Sequence, residues 1–187
     1  MRRVRKASFA FQLQYDPTDI PKLAAEYMAK LADKDQEMEG AGRRIASGDA
    51  SRSNVEVVYR WKSPRRIGLL DNNTDAEIEQ ALKAATRAEN VKGAVCSLIS
   101  LHGVGVKMAS AILTAIHPER YTVFDVRALE ALGVENGENV DLYVRYVEAC
   151  RSMAKKYGVK MRDFDRANWQ WSKRKSKLGA SATRCRP

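Results

Sequence analysis

Residues 101–113 read LHGVGVKMASAIL, and they place two of the chain's 11 glycines, Gly103 and Gly105, two positions apart, directly before a lysine and an apolar helical pattern. An apolar-Gly-apolar-Gly turn lets the backbone reverse with no Cβ in the way. It also leaves amide groups facing outward at the start of the next helix, where the helix dipole favours an anion. The same glycines equally suit an ordinary helix–helix turn that needs them for geometry alone, because a short glycine pattern is a weak signal.

The flanks define what the turn joins. Upstream, Val95, Leu98, Ile99 and Leu101 make one helix face; downstream, Met108, Ala111, Ile112 and Ala115 resume at helical spacing until Pro118 stops the run. The spacing predicts helix, tight turn, helix from Val91 onward. Next comes YTVF, then Asp125 and VRALEALG, a short helix closed by Gly133. A helix is expected over about 140–157 before Gly158, and a last one over about 163–173, carrying Phe164, Trp169 and Trp171. The basic stretch 174–187 has nothing to bury and reads as a mobile tail.

Toward the N-terminus, Thr74 and Glu77 have capping-box spacing, as do Ser53 and Glu56, which predicts helix through Trp61 despite three valines. Pro64 breaks that element, and Lys62, Arg65 and Arg66 are expected in a basic loop. Residues 40–51, GAGRRIASGDAS, read as helix ends and loop. The first helix begins near Thr18 to Pro21, with Leu23, Tyr27 and Leu31 as a core stripe. No strand series and no fixed-period repeat occur. The expectation is an all-α chain, one helical domain over 1–187.

Thirty-three Lys plus Arg against 23 Asp plus Glu give a net charge of +10, which points to a polyanionic partner. The natural anion for the glycine turn is then a DNA backbone phosphate, held without reading sequence. No window of about 18 apolar residues is present, so no membrane span is expected. The basic N-terminus lacks a signal-type apolar core, and an intracellular, cytoplasmic location is expected. Cys96, Cys150 and Cys185 are scattered and only two histidines, His102 and His117, are present, so neither a disulfide framework nor a His/Cys metal centre is suggested.

LHGVGVKMASAIL followed by YTVFDVRALEALG resembles the helix-hairpin-helix DNA glycosylase superfamily, of the endonuclease III type, over about residues 91–133. In that family a glycine hairpin leads into a helix and a catalytic aspartate opens a later helix; Lys107 and Asp125 stand at the matching separation. The resemblance implies two helical lobes around a cleft, a monomer that binds DNA, and excision of a damaged or modified base. Asp125 would stabilise positive charge developing on the deoxyribose. Lys107, as a neutral amine, would attack C1′ and add abasic-site lyase activity. Gly103, Val104, Gly105 and Lys107, with Lys62, Arg65 and Arg66, would hold DNA, and the hairpin could seat a monovalent cation.

The excised base needs a pocket wall, for which Tyr59, Trp61 and Tyr121 are candidates. The chain departs from the family in having His102 for the usual proline and no four-cysteine loop, so no iron-sulfur cluster is implied. Each site residue also has a plainer reading: Asp125 as an N-cap, Lys107 as a phosphate contact, the aromatics as core. The alternative function is a non-catalytic helix-hairpin-helix DNA-binding protein.

Overall fold

A 27-residue helix, α1 (Ile20–Ala46), about 40 Å long, is the spine of the fold. The fold is that of a computed structural model, which describes residues 11–135 and 137–184, with side chains to residue 177. Seven further α-helices follow: α2 (Arg52–Lys62), α3 (Asp75–Arg87), α4 (Val91–Ile99), α5 (Val106–Ile116), α6 (Val126–Ala131), α7 (Val140–Lys156) and α8 (Met161–Arg184). Two 3₁₀ stretches, Pro17–Asp19 and Pro64–Asn72, complete the helical content. The described residues contain no strand, and none of their helices is long and apolar enough to cross a membrane.

Helix α5 is the centre of the core. Every residue of it except Lys107 is buried, and α1, α2, α3 and α4 pack around it while α8 lies along α1. The α1–α5 contact explains a departure from expectation. Residues 40–46, expected as helix end and loop, continue α1. A Cβ on Gly42 would stand 1.8 Å from the Ala115 carbonyl oxygen; the glycine is there to let two helices touch, not to break one.

Other boundaries follow local chemistry. The Thr74–Glu77 capping box forms in both directions, with the Glu77 amide donating to Thr74 Oγ1 and the Thr74 amide to Glu77. Gly133 and Gly158 take left-handed conformations where α6 and α7 end. The Ser53–Glu56 box does not form: α2 starts two residues earlier than that box requires, with Ser51 as N-cap, and Glu56 instead pairs with Arg60 at 2.9 Å. The loop expected after Pro64 is 3₁₀ helix. The tail expected from 174 is helical as far as Arg184, because α8 continues unbroken; residues 185–187, including Cys185, lie outside the described residues, as does the basic stretch 1–10.

Candidate functional site

The segment that delivers Asp125 is fixed from three sides. After α5 ends at Ile116, residues Tyr121, Thr122, Val123 and Phe124 run buried through the core. The Phe124 amide donates to Ser110 Oγ of α5 at 2.9 Å. From α7, Tyr143 and Tyr146 donate their hydroxyls to the Thr122 and Val123 carbonyls at 3.3 and 3.0 Å, and both rings meet Phe124 edge-on. Buried backbone polar groups need such partners. Their effect is to hold the next residue in one place.

That residue, Asp125, is the N-cap of α6 and uses its two oxygens differently. Oδ1 accepts the Ala128 amide at 2.9 Å, and Oδ2 accepts the Lys62 ammonium at 2.7 Å. Both side chains are mostly buried, 15% exposed for Lys62 and 20% for Asp125. Burial pushes the Asp125 carboxyl up, but the Lys62 charge and hydrogen bond, with the amides of Ala128 and Arg127, outweigh it and hold the group below the ordinary carboxylate value. It is a carboxylate at neutral pH.

The pair forms part of the wall of a cavity of about 270 Å³. Helix α1 contributes Tyr27, Leu31 and Lys34, the end of α2 gives Trp61 and Lys62, and α8 gives Arg162, Asp165, Arg166 and Trp169. Behind it lies fully buried Asp35, whose Oδ1 accepts the Tyr27 hydroxyl at 2.8 Å and the Trp61 indole N–H at 3.0 Å. Its Oδ2 accepts Arg162 Nη2 at 2.7 Å and Arg166 Nε at 2.9 Å. Glu39 takes the same two guanidiniums at 3.2 and 2.7 Å. One carboxylate therefore orients two aromatic walls and two arginines, and its own lone pairs are satisfied.

Asp165 differs from Asp125. Burial pushes its carboxyl up to about 6, the Arg162 guanidinium pulls against that, and the nearby Asp125 charge adds to it. Two cavity carboxyls thus sit on opposite sides of the ordinary value.

The glycine turn is built as well. Gly103 has φ +79°, and a Cβ there would stand 2.5 Å from Leu69 Cβ. Asn73 clamps the turn from the 3₁₀ stretch: its Nδ2 donates to the His102 carbonyl at 3.1 Å and its Oδ1 accepts the His102 amide at 2.7 Å. Helix α5 has Gly105 as its N-cap, so no side chain caps it, and a carboxylate is already close: Glu138 Oε1 is 3.0 Å from where a Gly105 Cβ would stand.

The expected site residues therefore separate. Asp125, Trp61 and Lys62 meet at the cavity, and Lys62 is turned into it instead of joining Arg65 and Arg66, which are exposed on the 3₁₀ stretch. Lys107 is not among the cavity residues; its ammonium lies 3.9 Å from Glu138. Tyr59 and Tyr121 are core residues and do not line the cavity: Tyr59 donates to the Gly103 carbonyl at 3.4 Å, and Tyr121 is 1% exposed. Val104 is buried in the turn. Sequence reasoning missed the whole α8 wall, although Arg162, Asp165, Arg166 and Trp169 fall at i, i+3, i+4 and i+7, a helix face carrying charges where a core stripe would be apolar.

Among the described residues no group of three or more His, Cys, Asp or Glu side chains is placed to hold a metal ion. No family model matches the chain, and comparison with curated proteins and with solved structures returns no match.

Proposed function

We propose that the chain is a base-excision DNA glycosylase of the helix-hairpin-helix type, with the DNA backbone at the α4–α5 turn and a base turned out of the stack into the cavity. In this reading the helices on either side of the cavity are the two lobes of that fold. The observation that carries it is Asp125: an ionised, mostly buried carboxylate on the wall of a cavity flanked by Tyr27, Trp61 and Trp169. Aromatic walls suit an extruded base. A fixed negative charge in a desolvated site suits a reaction that builds positive charge on the sugar.

The chemistry closes on residues at the cavity. As the C1′–N bond breaks, its electron pair leaves with the base, and the Lys62 ammonium supplies the proton that the base takes up. Asp125 then faces the cationic sugar without its counter-ion. Water adds at C1′ and gives its extra proton to the Lys62 amine, or the neutral Lys62 amine itself adds and its extra proton passes to the ring oxygen as the C1′–O bond breaks, leaving a protonated imine. The amine for strand cleavage is in this reading Lys62, not Lys107.

Duplexes each carrying one modified or mismatched base test this directly. Wild-type protein releases a base from at least one of them; Asp125→Asn binds as tightly and releases it slower by orders of magnitude. With an abasic duplex and borohydride, wild type and Lys107→Arg give a covalent adduct and Lys62→Arg does not. A second reading, a non-catalytic DNA-binding protein, is favoured by one observation: capping α6 and pairing with Lys62 would already account for Asp125. Neither release nor adduct from any substrate would select it.

A further inference from the structure

The positive charge of the chain is unevenly neutralised around the cavity. On α8, Arg174 pairs with Glu26 and Lys175 with Glu130 at 3.0 Å. Lys30 and Lys34 on α1, Arg127 on α6, and Lys173 and Lys177 on α8 form no ion pair among the described residues. Arg127 bonds only neutral groups, the Ser172 and Ser176 hydroxyls at 3.3 and 3.4 Å.

These five cations are also gathered. Trp169, which lines the cavity, carries the Lys173 ammonium 4.5 Å from its ring centroid and the Arg127 guanidinium at 5.5 Å. Lys34 lines the same cavity. Lys173 is held below the ordinary lysine value, by partial burial and by the charges of Lys177, Lys30 and Arg127. Glu130 lies within electrostatic reach of Arg127, but among the described residues no carboxylate pairs directly with any of the five, and like charges so collected repel one another, which a bound polyanion would relieve. Lys173 and Lys177 are one turn apart, about 6 Å along α8, so their long side chains can reach neighbouring phosphates of one strand, which follow every ~3.4 Å of duplex axis.

We propose that Lys30, Lys34, Arg127, Lys173 and Lys177 form a second phosphate-binding face, along which a DNA strand runs past the cavity mouth. It is separate from the α4–α5 turn in sequence and built on different helices. The proposal rests on the glycosylase reading only in taking DNA as the polyanion.

The test compares two triple variants of the full chain with equal net charge. Lys30→Gln with Lys173→Gln and Lys177→Gln removes rim charges; Lys83→Gln with Lys92→Gln and Lys155→Gln removes exposed charges elsewhere. Affinity for a labelled duplex and for its single strand is measured by anisotropy over a salt series, with thermal melts to verify folding. The rim triple should flatten the slope of log K against log salt by about 0.9 for each lost duplex contact, two to three in all, and weaken binding tenfold or more near 0.1 M salt (about 0.7 for each contact on a single strand). The control triple should keep the wild-type slope. A rim triple with the wild-type slope, or a control triple that flattens it equally, overturns the proposal; if Lys107→Gln still weakens binding in that case, the glycosylase reading stands. A wild-type chain that binds neither DNA at low salt overturns both.

Discussion

Asp125 opposite Lys62 is the contact on which fold and proposed chemistry meet, and a double-mutant cycle separates the two. Asp125→Asn keeps an oxygen for the Ala128 amide, so the N-cap, worth ~1 kcal/mol, survives. What it removes is the charge facing Lys62 Nζ, 2.7 Å away, on side chains 15% and 20% exposed. At an effective dielectric of about 20, unit charges about 4 Å apart attract by ~4 kcal/mol. Lost hydration and residual solvent screening offset part of that, so an unpaired Lys62 should cost about 2 kcal/mol. Lys62→Gln strands the carboxylate instead and should cost about the same. In the double variant two neutral amides face each other, and the loss should fall to about 1 kcal/mol, a coupling of about 3 kcal/mol. Urea denaturation followed by tryptophan fluorescence reads this, since Trp61 and Trp169 line the cavity. Base release is assayed in parallel, well below the lowest melting midpoint. The expected result is recovered stability with no recovered activity. Additive stability losses would refute the buried-pair argument, and a double variant that both folds and releases base would show that Asp125 acts only through structure.

Two glycines of α1 should respond in opposite directions. Gly42→Ala drives a methyl into the Ala115 backbone and should cost at least ~3 kcal/mol or abolish folding, whereas Gly40→Ala, whose Cβ meets only the Arg43 and Arg44 guanidinium ends at 3.6 Å or more, should gain up to about 1 kcal/mol; thermal melts of both decide it. The raised Asp165 carboxyl gives a pH signature. Its folded value of about 6 lies above the ordinary aspartate value of 3.8, so between those two values the folded state holds a proton that the unfolded state has lost. Its contribution to stability is therefore unchanged below that window, falls as pH rises through it, and levels off above. Asp165→Asn should lack this decline when melts at pH 4, 5, 6 and 7 are compared with wild type; an identical profile would refute the assignment. Asp125, with its lowered value, should contribute the reverse trend, lost only as pH falls below the ordinary carboxylate range.

What the sequence determined by itself is what a residue imposes on its nearest neighbours. Thr74 and Glu77 cap α3 because both partners lie within one turn. The 102–105 turn is legible because Gly103 sits at φ +79°, where an L side chain is strained, and Asp125 at the head of α6 is legible as a cap whatever its chemistry. The local rules failed where the deciding atom came from elsewhere. Gly42 looked like a helix breaker, but the Ala115 carbonyl, far along the chain, is what requires it. Lys62 looked like one charge of a basic loop, yet its partner is 63 residues away. Asp35, behind the cavity, draws its two arginines from positions 127 and 131 residues later. A helix face of alternating charge and tryptophan reads the same whether it meets water or a buried carboxylate, and only the packing of α8 along α1 decided which; burial of that carboxylate is stable only once both arginines have arrived to compensate it.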